Sequence, residues 1–179
     1  MIAKLASNNP NKLRELRHAL PGWELKLLDP VDYPPEAGGT YYDNALAKAR
    51  FGRALTSDWV LGEDSGIEVA ALGGRPGVES ARWADDGVAA LLDVLRGVDD
   101  RRARYVCELV ALSPEGEERR GTGTVEGTIA LEPRGTEGFG YDPIFVPEGE
   151  SRTVAELGND WKREHSHRAR AARALMGLL

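Results

Sequence analysis

The sequence predicts an α/β fold built around a mixed β-sheet. Short apolar segments alternate with amphipathic helical segments along most of the 179 residues, and this alternation is typical of βα units. Two longer segments, 103–112 and 118–131, are joined by the turn-type sequence Ser113-Pro114-Glu115-Gly116 and predict a β-hairpin. Because βα units pair strands in parallel and hairpins pair them antiparallel, the sheet is expected to be mixed. The sequence contains no internal repeat or linker, so we expect residues 1–179 to form a single domain.

The first half of the chain is expected to alternate strands with two helices. Asn9-Pro10 supplies an N-cap and a first helical residue, and leucines follow at helical spacing as far as Leu20. Thr40 with Asp43 resembles the capping box that begins a second helix. The expected elements, in order, are a strand at 2–6, a helix from 10 to about 21, a strand at 23–29, a loop at 30–39, a helix from 40 to about 56, and strands at 58–62 and 67–71.

The second half adds two more helices and one further strand to the hairpin. The expected elements are a helix at 86–96, the two hairpin strands, a strand at 141–146 and a terminal helix at 166–178. The residues expected to face the core are Val88, Leu91, Leu92 and Leu95 in the first of these helices and Ala172, Leu175 and Met176 in the second.

Composition and charge limit the function. A hydrophobic content of 41% with 29% charged residues is typical of a soluble globular protein. The net charge of −6 argues against nucleic-acid or membrane partners, which need a basic face, so a polyanion would be bound by a few placed cations and a metal. We see no apolar run near 18 residues and no signal peptide. The single Cys107 excludes an internal disulfide framework and a cysteine-based zinc site, and we expect a cytoplasmic protein.

Two adjacent carboxylates, Glu63 and Asp64, lie in what the sequence predicts to be a glycine-bounded turn after an apolar strand. Paired carboxylates at a strand end can hold a hard divalent cation, which keeps waters and takes further ligands from substrate phosphates. A second glycine-rich bend follows and ends in Arg82, whose fixed positive charge suits those phosphates. The alternative interpretation is a solvated acidic turn.

The loop Ser7-Asn8-Asn9-Pro10-Asn11-Lys12 joins the first strand to the first helix. Backbone N–H groups at a helix N-terminus favour phosphate, and Lys12 in the first turn adds a point charge. Because a cation there opposes the helix dipole, its presence indicates an anionic ligand. The alternative is an ordinary capping loop with a solvated lysine.

Glu36 and the helix after it form a third polar motif. Asn44 and Lys48 are four residues apart and therefore share a helix face. Glu36 lies in the preceding loop, where we expect it to reach the same cleft as Asp64. The alternative is a polar loop beside a solvated helix face.

Phe139 lies between two glycines in Gly138-Phe139-Gly140-Tyr141-Asp142. Nothing local buries this ring, so it fits a stacking platform for a base, with Asp142 as a polar contact beside it. The alternative is a hydrophobic plug that closes the core under a turn.

Lys162 and the sequence Ser166-His167-Arg168 form the last motif. Ser166 fits an N-cap, and the two residues after it project from the first turn of the terminal helix. A histidine beside an arginine at a helix N-terminus indicates an anion or an acceptor-rich ligand. The alternative is a structural role.

Together these segments resemble the inosine triphosphate pyrophosphatase family, the non-canonical purine NTP (dITP/XTP) pyrophosphatases. The five matching motifs follow the family's order over nearly the whole chain and are Ser7–Lys12, Glu36–Ala49, Glu63–Trp83, Phe139–Pro143 and Ser166–Arg168. The chain departs from the family at Glu63, where bacterial members more often carry aspartate. It also lacks the usual Lys-Asn pair before Ser166.

The resemblance implies a long curved mixed β-sheet flanked by helices, in two lobes with a central cleft. It also implies a homodimer, Mg²⁺ as cofactor, and hydrolysis of ITP, dITP and XTP to the monophosphate and pyrophosphate. By motif position, Glu36 and Asp64 are expected to bind the metal, and Asp64 to orient or deprotonate the attacking water. The triphosphate is expected on Lys12, Lys48 and Arg82, with the rest of the loop Ser7, Asn8, Asn9, Pro10 and Asn11 also contacting substrate. The nucleotide pocket is expected to include Ser65, Phe139, Gly140, Tyr141, Asp142, Lys162, His167 and Arg168.

Two alternatives remain at this stage. A Maf-like nucleotide pyrophosphatase has a similar opening strand and Ser-Asn-Asn loop but a different base preference, and its Ser-x-Arg-Arg loop is not found in this sequence. A catalytically silent nucleotide-binding module belongs to another class of protein. Carboxylates at both Glu36 and Asp64 argue against it, because a pure binding site does not need the two together.

Overall fold

The computed structural model describes residues 1–29 and 32–177. The start of the predicted loop at 30–39 and the predicted end of the last helix at residue 178 lie outside the described residues. The strands are β1 (Ile2–Leu5), β2 (Glu24–Leu27), β3 (Trp59–Val69), β4 (Arg102–Leu112), β5 (Glu118–Ile129) and β6 (Phe145–Pro147). The α-helices are α1 (Pro10–Ala19), α2 (Tyr41–Arg53), α3 (Gly87–Val94), α4 (Val154–His165) and α5 (His167–Leu175), and short 3₁₀ helices span Ala70–Leu72 and Gly77–Arg82.

The six strands form one sheet in the order β2-β1-β3-β4-β5-β6. β1 runs parallel to both of its neighbours, with Leu5 opposite Leu27 in β2 and Leu61 in β3. β5 and β6 are antiparallel. The predicted α/β fold with a mixed sheet is therefore confirmed.

The chain divides into two compact units, which we call the first and the second unit. The first unit comprises Met1–Asp64, Cys107–Gly123 and the chain from His167. Its main core packs α1 and α5 against β1, β2 and parts of β3 and β4. The largest fully buried side chains of this core are Leu5, Leu16, Leu20, Leu25, Leu61 and Leu109. A smaller cluster packs Ala45 and Ala49 of α2 against Val110.

The second unit comprises Ser65–Val106 and Thr124–Ser166. Its core contains Ile67, Leu91, Leu95, Ile144 and Phe145, all fully buried. The apolar face predicted for α3 is confirmed, because Val88 and Leu92 also pack against this core.

The predicted pair of strands at 58–62 and 67–71 is wrong, because β3 runs without interruption from Trp59 to Val69. Gly62, one of the glycines that suggested a turn, allows a close helix–strand contact instead. A Cβ at Gly62 would overlap the Ala45 carbonyl oxygen and crowd the Ala49 backbone nitrogen of α2. Gly62 is therefore required by packing, and the acidic pair lies within a strand.

Two further expectations need correction in the second unit. The predicted strand at 141–146 begins only at Phe145, because residues 141–144 form a turn in which the Ile144 N–H donates to the Tyr141 carbonyl at 3.0 Å. Helix α4 was not predicted. Its periodicity is interrupted at Gly158, which has φ 82°, although the capping box of Thr153 and Glu156 was visible in the sequence.

The predicted helix starts are confirmed where they were specified. The Asn9 side chain accepts from the Asn11 N–H at 2.9 Å with Pro10 as first helical residue, and Thr40 Oγ1 accepts from the Asp43 N–H at 3.1 Å. Helix α2 ends at Arg53, a turn earlier than expected. None of the described helices combines the length and the apolar character that crossing a membrane requires.

Candidate active site

Helix α2 places two polar side chains against β3 in the first unit. Its tight contact at Gly62 brings Asn44 and Lys48 to the two residues that follow in the strand, Glu63 and Asp64. Asn44 and Lys48 are one helical turn apart, so both point toward the strand. The interpretation of this helix face as merely solvated is therefore wrong for these two residues.

Asp64 is nearly buried and is held by groups from α2. Asn44 Nδ2 donates to Asp64 Oδ2 at 2.9 Å, and Asn44 Oδ1 in turn accepts from the Gly38 N–H at 2.9 Å. Lys48 Nζ lies 3.4 Å from Asp64 Oδ1. Burial raises the pKa of Asp64, and the Lys48 charge and the Asn44 hydrogen bond offset only part of this effect. Asp64 is thus an oriented carboxylate with increased basicity.

Lys48 connects Asp64 to Glu36. Its ammonium pairs with Glu36 Oε1 and also donates to the Glu63 carbonyl oxygen at 3.0 Å. Burial lowers the pKa of Lys48, but the charges of Asp64, Glu63 and Glu36 outweigh burial and raise it. Glu36 and Asp64 are therefore brought together by their shared contact with Lys48, and their roles as metal ligands stay predictions.

The donor set around Lys48 fits a divalent cation that shares its coordination with a ligand. No cluster of three or more His, Cys, Asp or Glu side chains suited to a metal occurs in the part of the chain that the structure describes. Glu36 and Asp64 supply two carboxylates, and Mg²⁺ is commonly bound by one or two carboxylates with waters and substrate phosphates completing the shell. The single positive charge of Lys48 is outnumbered by the two charges of Glu36 and Asp64, and this excess of negative charge favours a cation.

The adjacent carboxylate, Glu63, serves a different set of partners. It is fully buried, and Lys12 Nζ lies 2.6 Å from Oε2 while Arg168 Nε donates to Oε1 at 3.0 Å. Burial by itself raises the pKa of Glu63, but the charges of Lys12, Arg168 and Lys48 more than reverse this effect and hold the pKa well below its usual range. Glu63 is therefore an ionised counter-ion, and its charge is matched by protein cations.

Lys12 was predicted to need an anion because it opposes the dipole of α1, and Glu63 supplies that anion within the protein. The ion pair with Glu63 fixes the position of the Lys12 ammonium, and its contact with the triphosphate stays a prediction. The remaining loop residues mainly organise the helix start. Ser7 Oγ accepts from the Asn9 N–H at 3.1 Å, and Asn11 Oδ1 accepts from Arg14. Asn8 and Pro10 are exposed.

His167 and Arg168 begin α5 and are both nearly buried. Arg168 contacts Glu15 Oε2 through Nη1 at 3.3 Å in addition to Glu63. The same Nη1 atom lies 3.1 Å from His167 Nε2. Because a guanidinium group can only donate, this geometry assigns the acceptor role to Nε2 and the proton of a neutral ring to Nδ1. Ser166 lies between α4 and α5 in extended backbone geometry.

In the second unit, the Asp142 carboxylate is the centre of a buried polar cluster. It accepts from Tyr105 at Oδ1 (3.1 Å) and from the Phe139 N–H (2.9 Å) and Lys162 Nζ (2.6 Å) at Oδ2. The Lys162 ammonium lies 4.5 Å from the centroid of the half-buried Phe139 ring, within cation–π distance. Phe139, Asp142 and Lys162 are therefore brought together, as the motif positions predicted.

Tyr141 lies in the core of the second unit, and its hydroxyl donates to the Ser80 carbonyl oxygen at 2.9 Å. Burial raises the pKa of Tyr141 to about 12, so the hydroxyl remains a donor. This bond ties the turn after Phe139 to the 3₁₀ helix that ends at the exposed Arg82. Direct substrate contacts of Tyr141, of the exposed Gly140, and of Ser65 within β3 stay predictions.

Three contributors to these clusters were not predicted as site residues. Asn44 was noted only as part of a helix face, and Glu15 and Tyr105 carried no signal in the sequence. The sequence signal for Asn44 was an amide one helical turn before a lysine on the same helix face. Glu15 and Tyr105 lie in an otherwise regular helix and strand, and their contacts with Arg168 and Asp142 join residues far apart in the chain, so only the three-dimensional structure identifies them.

The fold and the polar groups of the first unit define an α/β protein that combines oriented carboxylates with paired cations, which is an arrangement suited to phosphoanhydride chemistry. The model of the Ham1 family matches residues 3–178, and the chain belongs to that family.

Individual relatives agree with this assignment. A dITP/XTP pyrophosphatase of Symbiobacterium thermophilum is 50% identical over 185 residues, covering 97% of this chain and 93% of the relative. The solved structure of the Staphylococcus aureus Ham1 protein superposes with a TM-score of 0.86 at 35% identity, covering 99% and 97% of the two chains. A crystal structure of the Mycobacterium abscessus nucleoside-triphosphatase / dITP/XTP pyrophosphatase gives a TM-score of 0.76 at 42% identity, covering 100% and 98%.

Proposed function

We propose that this protein hydrolyses non-canonical purine nucleoside triphosphates, namely ITP, dITP and XTP, to the monophosphate and pyrophosphate. The observation that carries the proposal is the geometry of the buried Asp64 carboxylate. Asn44 fixes its orientation, and Lys48 joins it to Glu36. The chain that presents this carboxylate belongs to the Ham1 family. A site that only bound nucleotides would gain nothing from a second carboxylate facing the phosphates, because both would repel the ligand.

The chemical step is the attack of water on the α-phosphorus. A bond forms from the water oxygen to this phosphorus, the bond to the bridging oxygen of the β-phosphate breaks, and pyrophosphate leaves. Asp64 orients the water and accepts its proton, and the raised pKa makes this carboxylate a stronger base than an ordinary aspartate. A divalent ion held by Glu36 and Asp64 would supply Lewis-acid stabilisation of charge on the phosphate oxygens.

The cations of the protein carry the remaining charge. Lys48 and Lys12 each form an ion pair with a carboxylate of the first unit, so both are held in defined positions before substrate arrives. Such preorganised positive charge stabilises a phosphoryl transition state without reorganisation during the reaction. Arg82 is proposed as a further triphosphate ligand, and Mg²⁺ as the ion. A homodimer in the cytoplasm is part of the same proposal.

Base recognition is proposed for Phe139, Lys162 and Arg168. Inosine and xanthosine present O6 as an acceptor and N1–H as a donor, whereas adenosine presents an amino group and an unprotonated N1. Lys162 and Arg168 can only donate hydrogen bonds, so they can pair with O6 but not with an amino group. Phe139 can stack on any base and is expected to add affinity without choosing among purines.

We therefore expect ITP, dITP and XTP to be hydrolysed with kcat/KM at least ~10²-fold above that of ATP, because hydrogen bonds to O6 form only with a 6-oxo base. The measurement is a panel of triphosphates assayed with Mg²⁺, scoring pyrophosphate separately from orthophosphate. Phe139→Ala should lower activity on every purine while keeping the ratio of ITP to ATP. GTP shares O6 and N1–H with ITP, so its rejection would require exclusion of the 2-amino group.

Other outcomes would point to other functions. Equal kcat/KM for ATP and ITP would contradict the base preference and leave a general triphosphate pyrophosphatase. Preference for pyrimidine triphosphates would favour the Maf-like alternative. Binding of ITP without turnover at any Mg²⁺ concentration would favour the alternative of a catalytically silent nucleotide-binding module.

A further inference from the structure

Tyr105 occupies a core position at which its hydroxyl group needs a partner. The residue lies in β4 within the second unit, 7% exposed, and its ring packs against Phe145 with ring centroids 4.5 Å apart. A phenylalanine would make the same ring contacts. A buried hydroxyl costs free energy unless it is hydrogen-bonded, and here it donates to Asp142 Oδ1 at 3.1 Å.

The carboxylate that receives this bond organises two groups of the proposed base site. Asp142 Oδ2 accepts from the Phe139 N–H and from Lys162 Nζ, while the Lys162 ammonium lies against the Phe139 ring. The loop also closes over the carboxylate. A Cβ at Gly138, which has φ 79°, would overlap Asp142 Oδ2. The rotation of the Asp142 carboxylate therefore determines where the Lys162 ammonium and the Phe139 backbone lie.

Rotation about the Cβ–Cγ bond of an aspartate is intrinsically soft and broad. Two of the contacts described above hold Oδ2, and the Tyr105 hydroxyl holds the opposite oxygen. With both oxygens bonded the carboxylate plane is fixed, whereas contacts to Oδ2 alone allow the plane to swing about that atom.

We propose that Tyr105 is a positioning residue for base recognition, which acts by fixing the Asp142 carboxylate and thereby placing Lys162 and Phe139. This inference rests on the proposed function, in which the last two residues contact the purine. Tyr105 itself is assigned no contact with substrate.

The test compares Tyr105→Phe with Tyr42→Phe. Both substitutions remove a tyrosine hydroxyl that donates to a carboxylate, since Tyr42 donates to Glu118 at 2.8 Å on the surface of the first unit. For Tyr105→Phe we expect KM for ITP to rise about tenfold and the ratio of kcat/KM for ITP over ATP to fall about tenfold, which is the scale of one hydrogen bond to a charged group. The product should remain pyrophosphate. Tyr42→Phe should match the wild type in both quantities.

A double-mutant cycle tests whether Tyr105 acts through Asp142. If it does, Tyr105→Phe should add little to the effect of Asp142→Asn, because that change already removes the carboxylate that the Tyr105 hydroxyl fixes. Additive losses in KM would contradict the mechanism. So would a folded Tyr105→Phe variant with wild-type KM and base ratio, even if its melting temperature fell, because a purely structural role predicts that result.

Equilibrium binding of IMP separates failure of this inference from failure of the proposed function. A wild-type protein that hydrolyses ITP and a Tyr105→Phe variant that binds IMP as tightly would overturn the inference alone. A wild-type protein that neither hydrolyses ITP nor binds IMP would overturn both. If IMP binds without ITP turnover, the inference predicts about tenfold weaker IMP binding by Tyr105→Phe.

Discussion

Replacing Asp64 by asparagine is expected to reduce ITP hydrolysis by on the order of 10³-fold, or about 4 kcal/mol of transition-state stabilisation. The amide cannot accept the proton of the attacking water, and it removes one of the two negative charges that Lys48 joins. The change is nearly isosteric, and the amide oxygen can still accept from Asn44 Nδ2, so the fold should persist.

The measurement is the rate of pyrophosphate release at saturating ITP and Mg²⁺, with thermal melting as the check on folding. Asp93→Asn is a suitable control, because Asp93 is an exposed carboxylate of α3. Its described ion pair is with Arg96, three residues further along the chain. The control should retain full activity. A folded Asp64→Asn protein with nearly wild-type turnover would remove Asp64 from the mechanism.

Local sequence patterns predicted the structure correctly where residues close in the chain determine it. The N-caps of α1 and α2 and the apolar faces of α3 and α5 are set by residues within a turn of each other, and all were predicted correctly. The interruption of β3 was predicted wrongly. A glycine that permits a turn and a glycine that permits close packing look alike in sequence, and at Gly62 the neighbouring α2 decides between them.

The sequence motifs indicated which residues belong together better than they indicated which side chains pair with each other. The motif positions identified Glu36, Lys48 and Asp64, and the structure brings them together. From their adjacency in the sequence, Glu63 and Asp64 were interpreted as one pair of carboxylates. In a strand, adjacent side chains point to opposite faces, so the two carboxylates meet different partners.

The opposite orientation of Glu63 leads to the second large effect, which is on stability. Glu63 is fully buried between Lys12 and Arg168, and removing its charge leaves two cations without their shared counter-ion. Breaking a buried ion pair from one side costs about 3–5 kcal/mol. We therefore expect Glu63→Gln to lower the free energy of unfolding at pH 7 by about 3 kcal/mol, at the lower end because glutamine keeps the shape and one acceptor oxygen. Urea unfolding monitored by circular dichroism measures this loss.

The pH dependence of that loss identifies its cause. The pKa of Glu63 is lower in the folded protein than its value of 4.5 without the fold, so the stabilisation is fully present above about pH 4.5 and declines as pH falls toward the folded pKa. The stability difference between the wild type and Glu63→Gln should therefore be constant from pH 7 down to about 4.5 and shrink below it. Glu164→Gln, which changes an exposed carboxylate of α4, should cost little at any pH.

If Glu63 instead bound the metal, Glu63→Gln would raise the Mg²⁺ concentration needed for half-maximal activity and leave the metal-free stability nearly unchanged. The ion pairs with Lys12 and Arg168 predict the reverse: a destabilised protein whose surviving activity keeps the Mg²⁺ requirement of the wild type.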